Sequence, residues 1–95
     1  METLLSIPLR IERKPCVLKR LGLSKATLHR YITRGIFPPP INLGEKSVGF
    51  LSYEVDAYLA ACAINADKHS LVKQLLAQRA NLKDKIPSLY DVSSC

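Results

Sequence analysis

The sequence has no long run of apolar residues. No stretch approaches the roughly 20 consecutive apolar residues that a membrane-spanning helix requires. The first residues include a glutamate at position 2 and only a short apolar stretch, so they do not resemble a signal peptide. These absences lead us to expect a cytoplasmic protein with no membrane partner.

Cysteine and histidine are scarce and widely spaced. Cys16, Cys62 and Cys95 contain no C-x-x-C pair, and His29 lies forty residues before His69. No combination of these residues has the spacing of zinc ligands, and an odd number of cysteines in a cytoplasmic chain predicts free thiols. We therefore expect neither a metal site nor another cofactor.

Motifs of catalysis are also missing. The sequence has no Gly-rich phosphate loop, no pair of catalytic carboxylates and no Cys–His constellation. Its 95 residues allow one small domain, and the hydrophobic fraction of 47% is typical of a folded protein. We expect a small folded domain that is not an enzyme.

Positive charge is concentrated in the first third of the chain. Residues 1–34 contain eight Lys or Arg and two Glu, a net charge of +6, whereas residues 35–95 contain six basic and six acidic residues. Such clustering is typical of a phosphate-binding face. It also fits an ordinary solvated surface, so charge alone leaves both interpretations open.

Residues 22–35 have the signals of a turn, a helix and a helix stop. Gly22 permits the left-handed conformation that ends a preceding helix, and Ser24 can cap the helix that follows. Apolar residues then recur at helical spacing: Leu28, Tyr31 and Ile32. Gly35 and the three prolines at 38–40 end the run. A helix over residues 16–21 after Pro15 would complete a helix-turn-helix. Lys19 and Arg20 are expected to be solvated charges, unless this first helix lies near the DNA backbone.

The outer face of the second helix is polar and basic. It carries Ala26, Thr27, His29, Arg30, Thr33 and Arg34. A short helix with such a face suits the major groove of DNA. This pattern favours a nucleic-acid partner over a solvated surface.

A β-hairpin is predicted after the prolines. Its strands are residues 41–43 and 47–51, and we expect Gly44 to supply a positive φ in the turn and Gly49 to form a bulge. A hairpin directly after a recognition helix is a wing, whose tip can reach the DNA backbone or the minor groove.

Two amphipathic helices are predicted in the second half. Ser52 and Asp67 are the expected caps, and the first of the two helices ends at residue 65 or 66. The apolar stripe of the first contains Val55, Tyr58, Leu59 and Cys62, with Cys62 in the core. The stripe of the second contains Leu71, Val72, Leu75, Leu76 and Leu82. The second helix either packs back onto the domain or pairs with a second copy of the chain.

These elements define a mainly α fold with a small β-hairpin. We expect a winged helix-turn-helix over residues 15–66, preceded by an arm at 1–14 and followed by a helix at 67–86 and a flexible tail at 87–95. The competing interpretation is a protein-interaction module that uses its last helix and touches no DNA.

Between Val17 and Leu59 the chain contains a series of short motifs. They are Gly22-Leu23-Ser24, Thr27, Arg30, Gly35-Ile36-Phe37-Pro38, Pro40, Leu43-Gly44, Val48-Gly49-Phe50 and Glu54-Val55-Asp56-Ala57-Tyr58-Leu59. Together they resemble the AlpA family of phage-derived DNA-binding regulators, which are related to MerR-type winged helices and to phage excisionases.

The resemblance implies a protein of a prophage or genomic island that binds promoter or attachment-site DNA. Some such proteins regulate transcription, and others act as excisionases that bend DNA and direct an integrase. Phe50 and Tyr58 stand where the family often has tryptophan, and we expect their packing to survive because both are aromatic. His29 stands where tyrosine is common, which affects base preference. The last helix is not part of the family motif.

The predicted DNA-binding residues are Ser24, Lys25, Thr27, His29, Arg30, Arg34, Lys46 and Ser47. We expect Thr27 and Arg30 to contact bases, because arginine can form a bidentate pair with guanine; a phosphate contact is the alternative for Arg30. Lys25 and Arg34 are expected to bind phosphates.

The remaining positions have two interpretations each. Ser24 is first a helix cap and second a phosphate contact, and His29 either meets a base or lies in solvent. Lys46 is a phosphate contact or an exposed turn residue. The expected partners are double-stranded DNA, a second copy in a homodimer or cooperative oligomer on DNA, and an integrase. When bound to DNA the protein would be associated with the nucleoid.

Overall fold

The computed structural model describes residues 9–82. The elements in chain order are β1 (Ile11–Glu12), α1 (Lys14–Leu21), α2 (Lys25–Arg34), β2 (Ile41–Asn42), β3 (Val48–Leu51), α3 (Ser52–Ala63) and α4 (Lys68–Ala80). The strands form one antiparallel sheet in the order β1–β3–β2. This arrangement confirms the predicted mainly α, winged helix-turn-helix fold with an additional C-terminal helix.

The predicted tail at 87–95, most of the predicted arm and the end of the last predicted helix lie outside the described residues. None of the helices within residues 9–82 is both long and apolar enough to cross a membrane.

Two glycines end the helices of the helix-turn-helix, as predicted. Gly22 has φ 68° and follows α1, while Gly35 has φ 78° and follows α2. The N–H of Gly22 donates to the carbonyl of Leu18 over 2.8 Å, which satisfies one of the last carbonyls of α1. Both chain reversals are therefore specified by local sequence.

The sheet contains a strand that sequence reasoning did not identify. Ile11 pairs with Leu51, so β1 flanks β3 on the side opposite β2. Gly49 pairs with Ile41 in regular register, and the predicted bulge is wrong. A Cβ at Gly49 would lie 2.5 Å from Cγ2 of Ile11 and 3.1 Å from Cδ1 of Leu43. Glycine is needed there because two neighbouring side chains cross over β3.

The hairpin turn also differs from the expected geometry. Positive φ occurs at two glycines among the described residues, and Gly44 is not one of them. Instead the N–H of Gly44 donates to Oδ1 of Asn42 over 3.1 Å, and the N–H of Leu43 donates to the carbonyl of Ser47 over 2.7 Å. The turn is thus closed by an asparagine side chain.

The core is built around Phe37, at the end of the turn that follows α2. Its ring meets Phe50 at 5.8 Å and Tyr58 at 4.7 Å between centroids, both edge-on. Val17 from α1, Leu28 from α2 and Val55 from α3 complete the same buried cluster. The aromatic residues at positions 50 and 58 therefore preserve the packing, as expected.

Helix α3 begins and ends differently from the prediction. Leu51 is its N-cap residue, and the hydroxyl of Ser52 donates instead to Oε2 of Glu12 over 2.8 Å. The helix ends at Ala63, before the predicted residue 65 or 66. Cys62 is exposed, so its predicted place in the core is wrong. The apolar stripe predicted from the sequence includes Cys62, but it is wider than the surface that the fold buries.

Helix α4 packs against α3 and is tied to it by a buried ion pair. Asp67 caps the helix as predicted, accepting from the N–H of His69 over 3.2 Å. Nε of Arg79 donates to Oε2 of Glu54 over 2.8 Å, and Nη2 donates to Oε1 over 2.6 Å. Nη2 also donates to the carbonyl of Pro39 over 2.6 Å. Leu76, placed on the packing stripe by the sequence, is 41% exposed.

Replacing Arg79 with alanine is expected to destabilise the domain. The carboxylate of Glu54, with 1% of the residue exposed, would be left buried without its partner. We expect the free energy of unfolding to fall by about 3 kcal/mol in urea titrations. Lys73→Ala, an exposed change on the same helix, is the control. The double variant Glu54→Leu/Arg79→Met should recover most of the lost free energy of unfolding. Equal stability of Arg79→Ala and the Lys73→Ala control would contradict a stabilising role for the ion pair.

Stability is also expected to decline at alkaline pH. Burial raises the pKa of the Tyr58 hydroxyl to about 12, and a hydrogen bond with Cys62 adds to the increase. The pKa of this hydroxyl is 10.0 without these effects. Its contribution to the free energy of unfolding is therefore complete below about pH 10 and is lost as the pH rises toward about 12. In urea titrations across this pH range, the free energy of unfolding should fall less for Tyr58→Phe than for the wild type. An identical pH dependence of the two proteins would contradict the assignment.

Candidate nucleic-acid interface

Helix α2 has one face in the core and one in solvent. Leu28 is buried, and Tyr31 and Ile32 pack against the core cluster. The exposed residues of the helix are Lys25, Ala26, His29, Arg30, Thr33 and Arg34. Thr27, predicted to contact a base, is half-buried. The separation of the two faces follows the pattern predicted from the sequence.

The N-terminus of α2 is held by two hydroxyl groups. The N–H of Thr27 donates to Oγ of Ser24 over 3.2 Å, which confirms the predicted cap. Oγ of Ser24 in turn donates to Oγ1 of Thr27 over 2.9 Å. The hydroxyl of Thr27 therefore takes part in the cap of α2 as the acceptor of this hydrogen bond.

Most basic side chains near α2 have no acidic partner. Among the described residues, the ion pairs involve two arginines, and neither is on α2. One is Arg20, whose guanidinium lies 2.6 Å from Oδ1 of Asp56 and 3.3 Å from Oε2 of Glu12. Arg20 is exposed, in keeping with the predicted solvated charge, and its ion pairs also link β1, α1 and α3. The uncompensated positive charge remains on other residues, including those of α2.

A cleft of about 180 Å³ separates α2 from the hairpin. Its lining residues are Lys14, Lys25, Leu28, His29, Ile32, Pro40, Val48 and Phe50. We call this feature the helix–wing cleft. It brings two predicted site residues, Lys25 and His29, to the first residue of β3. It also includes Lys14, which sequence reasoning did not select, because only the tertiary fold brings the start of α1 to this place.

The other predicted residues lie elsewhere. Lys46 is exposed in the hairpin turn, and Ser47 is half-buried beside it. Arg34, the last residue of α2, lines a separate open depression of about 540 Å³ together with Lys68 and His69. The predicted site is therefore a surface that extends along α2 to the hairpin, with Lys25 and Arg34 at opposite ends of the helix.

Sequence comparisons place the chain in a family. Residues 10–63, more than half of the chain, match the family described as prophage CP4-57 regulatory protein (AlpA). The chain belongs to the AlpA family. A relative, "Uncharacterized protein ORF88" of Enterobacteria phage P4, is 43% identical over 51 residues, which cover 54% of this chain and 58% of that protein. The matched part thus spans less than two thirds of that relative's length. No solved structure matches the chain.

The match to the AlpA family follows the boundaries of the fold. It includes β1 and ends at Ala63, the last residue of α3. Glu54 lies inside the matched segment, whereas its partner Arg79 lies on α4, outside it. In this AlpA-family protein, a helix beyond the shared segment therefore completes the environment of a residue within it.

Replacing Ser24 with alanine is expected to weaken α2. The variant leaves the N–H of Thr27 without its side-chain acceptor, and losing such a cap costs about 1 kcal/mol. Thermal and urea unfolding should both report the loss. Ser24→Asp, which keeps an accepting oxygen, is the control and should unfold close to the wild type. If alanine is as stable as aspartate at this position, the hydroxyl does not act as a cap.

Proposed function

We propose that this AlpA-family protein binds double-stranded DNA of a mobile element and acts as a small transcriptional regulator. The observation that carries the proposal is the exposed face of α2, which presents Lys25, Arg30 and Arg34 without acidic partners in the described part of the chain. The description of the matched family as regulatory supports the choice of a regulator.

The proposed geometry puts α2 in the major groove. The groove of B-DNA is about 12 Å wide and admits an α-helix. Arg30, near the middle of the exposed face, is then the residue that reads a base, through a bidentate pair with guanine. Thr27 donates its hydroxyl hydrogen to a neighbouring base acceptor.

Phosphate contacts in this proposal flank the base contacts. Lys25 and Arg34 lie at the two ends of α2 and meet the backbone on either side of the groove. Lys46 and Ser47 belong to the hairpin, whose position next to the start of α2 suits a wing that follows the same DNA strand. Such contacts position the protein and carry no sequence information.

Footprinting on the DNA that flanks the protein's own gene tests the proposal. Protection of repeated sites beside a promoter would support a regulator. Protection inside an attachment site, with hypersensitive bands caused by bending, would instead identify an excisionase that works with an integrase. Absence of protection at low salt would overturn DNA binding and favour the interaction-module interpretation.

The triple variant Lys25→Gln/Arg30→Gln/Arg34→Gln should bind DNA much more weakly than the wild type while remaining folded. Each phosphate contact contributes about −0.9 to the slope of log K against log salt, so the slope should become shallower by about 2 to 3. Fluorescence anisotropy over a salt series measures both quantities. The control is Lys19→Gln/Lys73→Gln, which removes exposed positive charge from α1 and α4. Equal losses of binding free energy per charge removed in the two variants would show that binding depends on total charge and not on α2.

A further inference from the structure

We propose that the helix–wing cleft is a subsite for the DNA backbone, in which Lys14 and Lys25 hold one phosphate and an apolar wall receives the adjoining deoxyribose. The proposal rests on the proposed function, because it names where a DNA strand passes between α2 and the hairpin. It adds Lys14 and Val48 to the residues that meet DNA.

The chemistry of the cleft is divided between two kinds of side chain. Lys14 and Lys25 bring ammonium groups from α1 and α2, and neither has an acidic partner among residues 9–82. Most of the remaining lining is apolar and includes Val48, Pro40 and Phe50, of which Phe50 is 2% exposed. A sugar-phosphate unit has the same division, with an anionic phosphate joined to a largely apolar sugar.

The size of the cleft excludes a drug-sized ligand. Its volume of about 180 Å³ is below the roughly 300–1,000 Å³ of typical small-molecule pockets. A backbone unit of DNA needs to enter only with its sugar and phosphate, while its base stays in the duplex. The cleft therefore suits a segment of a polymer better than a free effector.

A hydrogen bond links the start of α1 to the hairpin side of the cleft. Nη1 of Arg13 donates to the carbonyl of Val48 over 3.2 Å. Because Lys14 follows Arg13 directly, this bond sets the start of α1 against the first residue of β3. The backbone at Lys14 and the apolar wall are thus already adjacent before any ligand arrives, which reduces the reorganisation that binding requires.

The first experiment compares Lys14→Ala with Lys19→Ala on the same DNA. Both remove one lysine from α1, but only Lys14 lines the cleft. We expect Lys14→Ala to weaken binding roughly three- to tenfold and to make the salt slope shallower by about 0.9, with similar effects on specific and unrelated DNA. Lys19→Ala should stay within about twofold of the wild type. Equal behaviour of the two variants would overturn the proposal.

The second experiment identifies the phosphate. Single phosphates of the binding site are replaced by uncharged methylphosphonates, and binding is measured for the wild type and for Lys14→Ala. We expect one position whose replacement weakens the wild type by a larger factor than it weakens Lys14→Ala, because the variant holds that phosphate through Lys25 alone. If every position affects both proteins by the same factor, Lys14 contacts no particular phosphate and the proposal fails.

The third experiment tests the apolar wall. Val48 and Leu43 are 41% and 43% exposed, and Leu43 lies on the other face of the hairpin, beside Gly49. Val48→Glu places a carboxylate in the path of the backbone and should weaken binding at least tenfold, whereas Leu43→Glu should not. Circular dichroism confirms that each variant is folded. Equal effects of the two glutamates would contradict a sugar contact at Val48.

These experiments distinguish a failure of the proposed function from a failure of the cleft subsite. A wild type that binds no DNA refutes the proposed function and the cleft subsite together. A wild type that binds DNA and is weakened by the α2 triple variant, but not selectively by Lys14→Ala, refutes the cleft subsite alone.

Discussion

The buried pair between Glu54 and Arg79 is the interaction on which the arrangement of the domain depends. One guanidinium satisfies both oxygens of a carboxylate that is almost inaccessible to water, and it also binds the carbonyl of Pro39. Three segments meet there: the first turn of α3, the last turn of α4 and the proline segment that leads into the hairpin. A buried charge tolerates little movement of its partner, since separating the two is costly. The pair therefore fixes the base of the hairpin relative to both C-terminal helices.

The proline segment explains why this link is needed. Pro38, Pro39 and Pro40 have no backbone N–H, so they cannot join a sheet or helix through donated hydrogen bonds. Their position must come from packing and from contacts to their carbonyls. Phe37 provides the packing, with its ring between Phe50 and Tyr58. Arg79 provides the carbonyl contact. Together they set the direction in which the hairpin leaves the core, and hence the width of the helix–wing cleft.

Local signals made the helix-turn-helix predictable from the sequence. A capping serine, two glycines with positive φ and a stripe of apolar residues each act within a few positions, so the sequence alone was enough to assign α2 and its exposed face. The hairpin was placed correctly for a similar reason, although its turn is closed by Asn42 and not by a positive φ at Gly44.

Long-range contacts could not be read in the same way. Strand β1 forms because β3 offers a free edge forty residues later, and Ser52 turns from a helix cap into a partner of Glu12 because β1 is there. Gly49 has the signature of a bulge, yet its function is to leave room for Ile11. Lys14 carries no distinguishing local signal, and only the fold brings it beside Lys25. The chemistry of the candidate site was thus predictable along α2 but not across to α1.

The position of Arg79 also has a consequence for the order of events during synthesis. Glu54 and Arg79 are separated by 25 residues, and a ribosome adds about 5–20 residues per second, so roughly 1–5 s pass between them. Until Arg79 has been added, the carboxylate of Glu54 has no partner, and its burial is costly. We therefore expect the first turn of α3 to reach its final packing only after the last turn of α4 has been made. Folding of the segment shared with the family is completed by a residue that is synthesised after it.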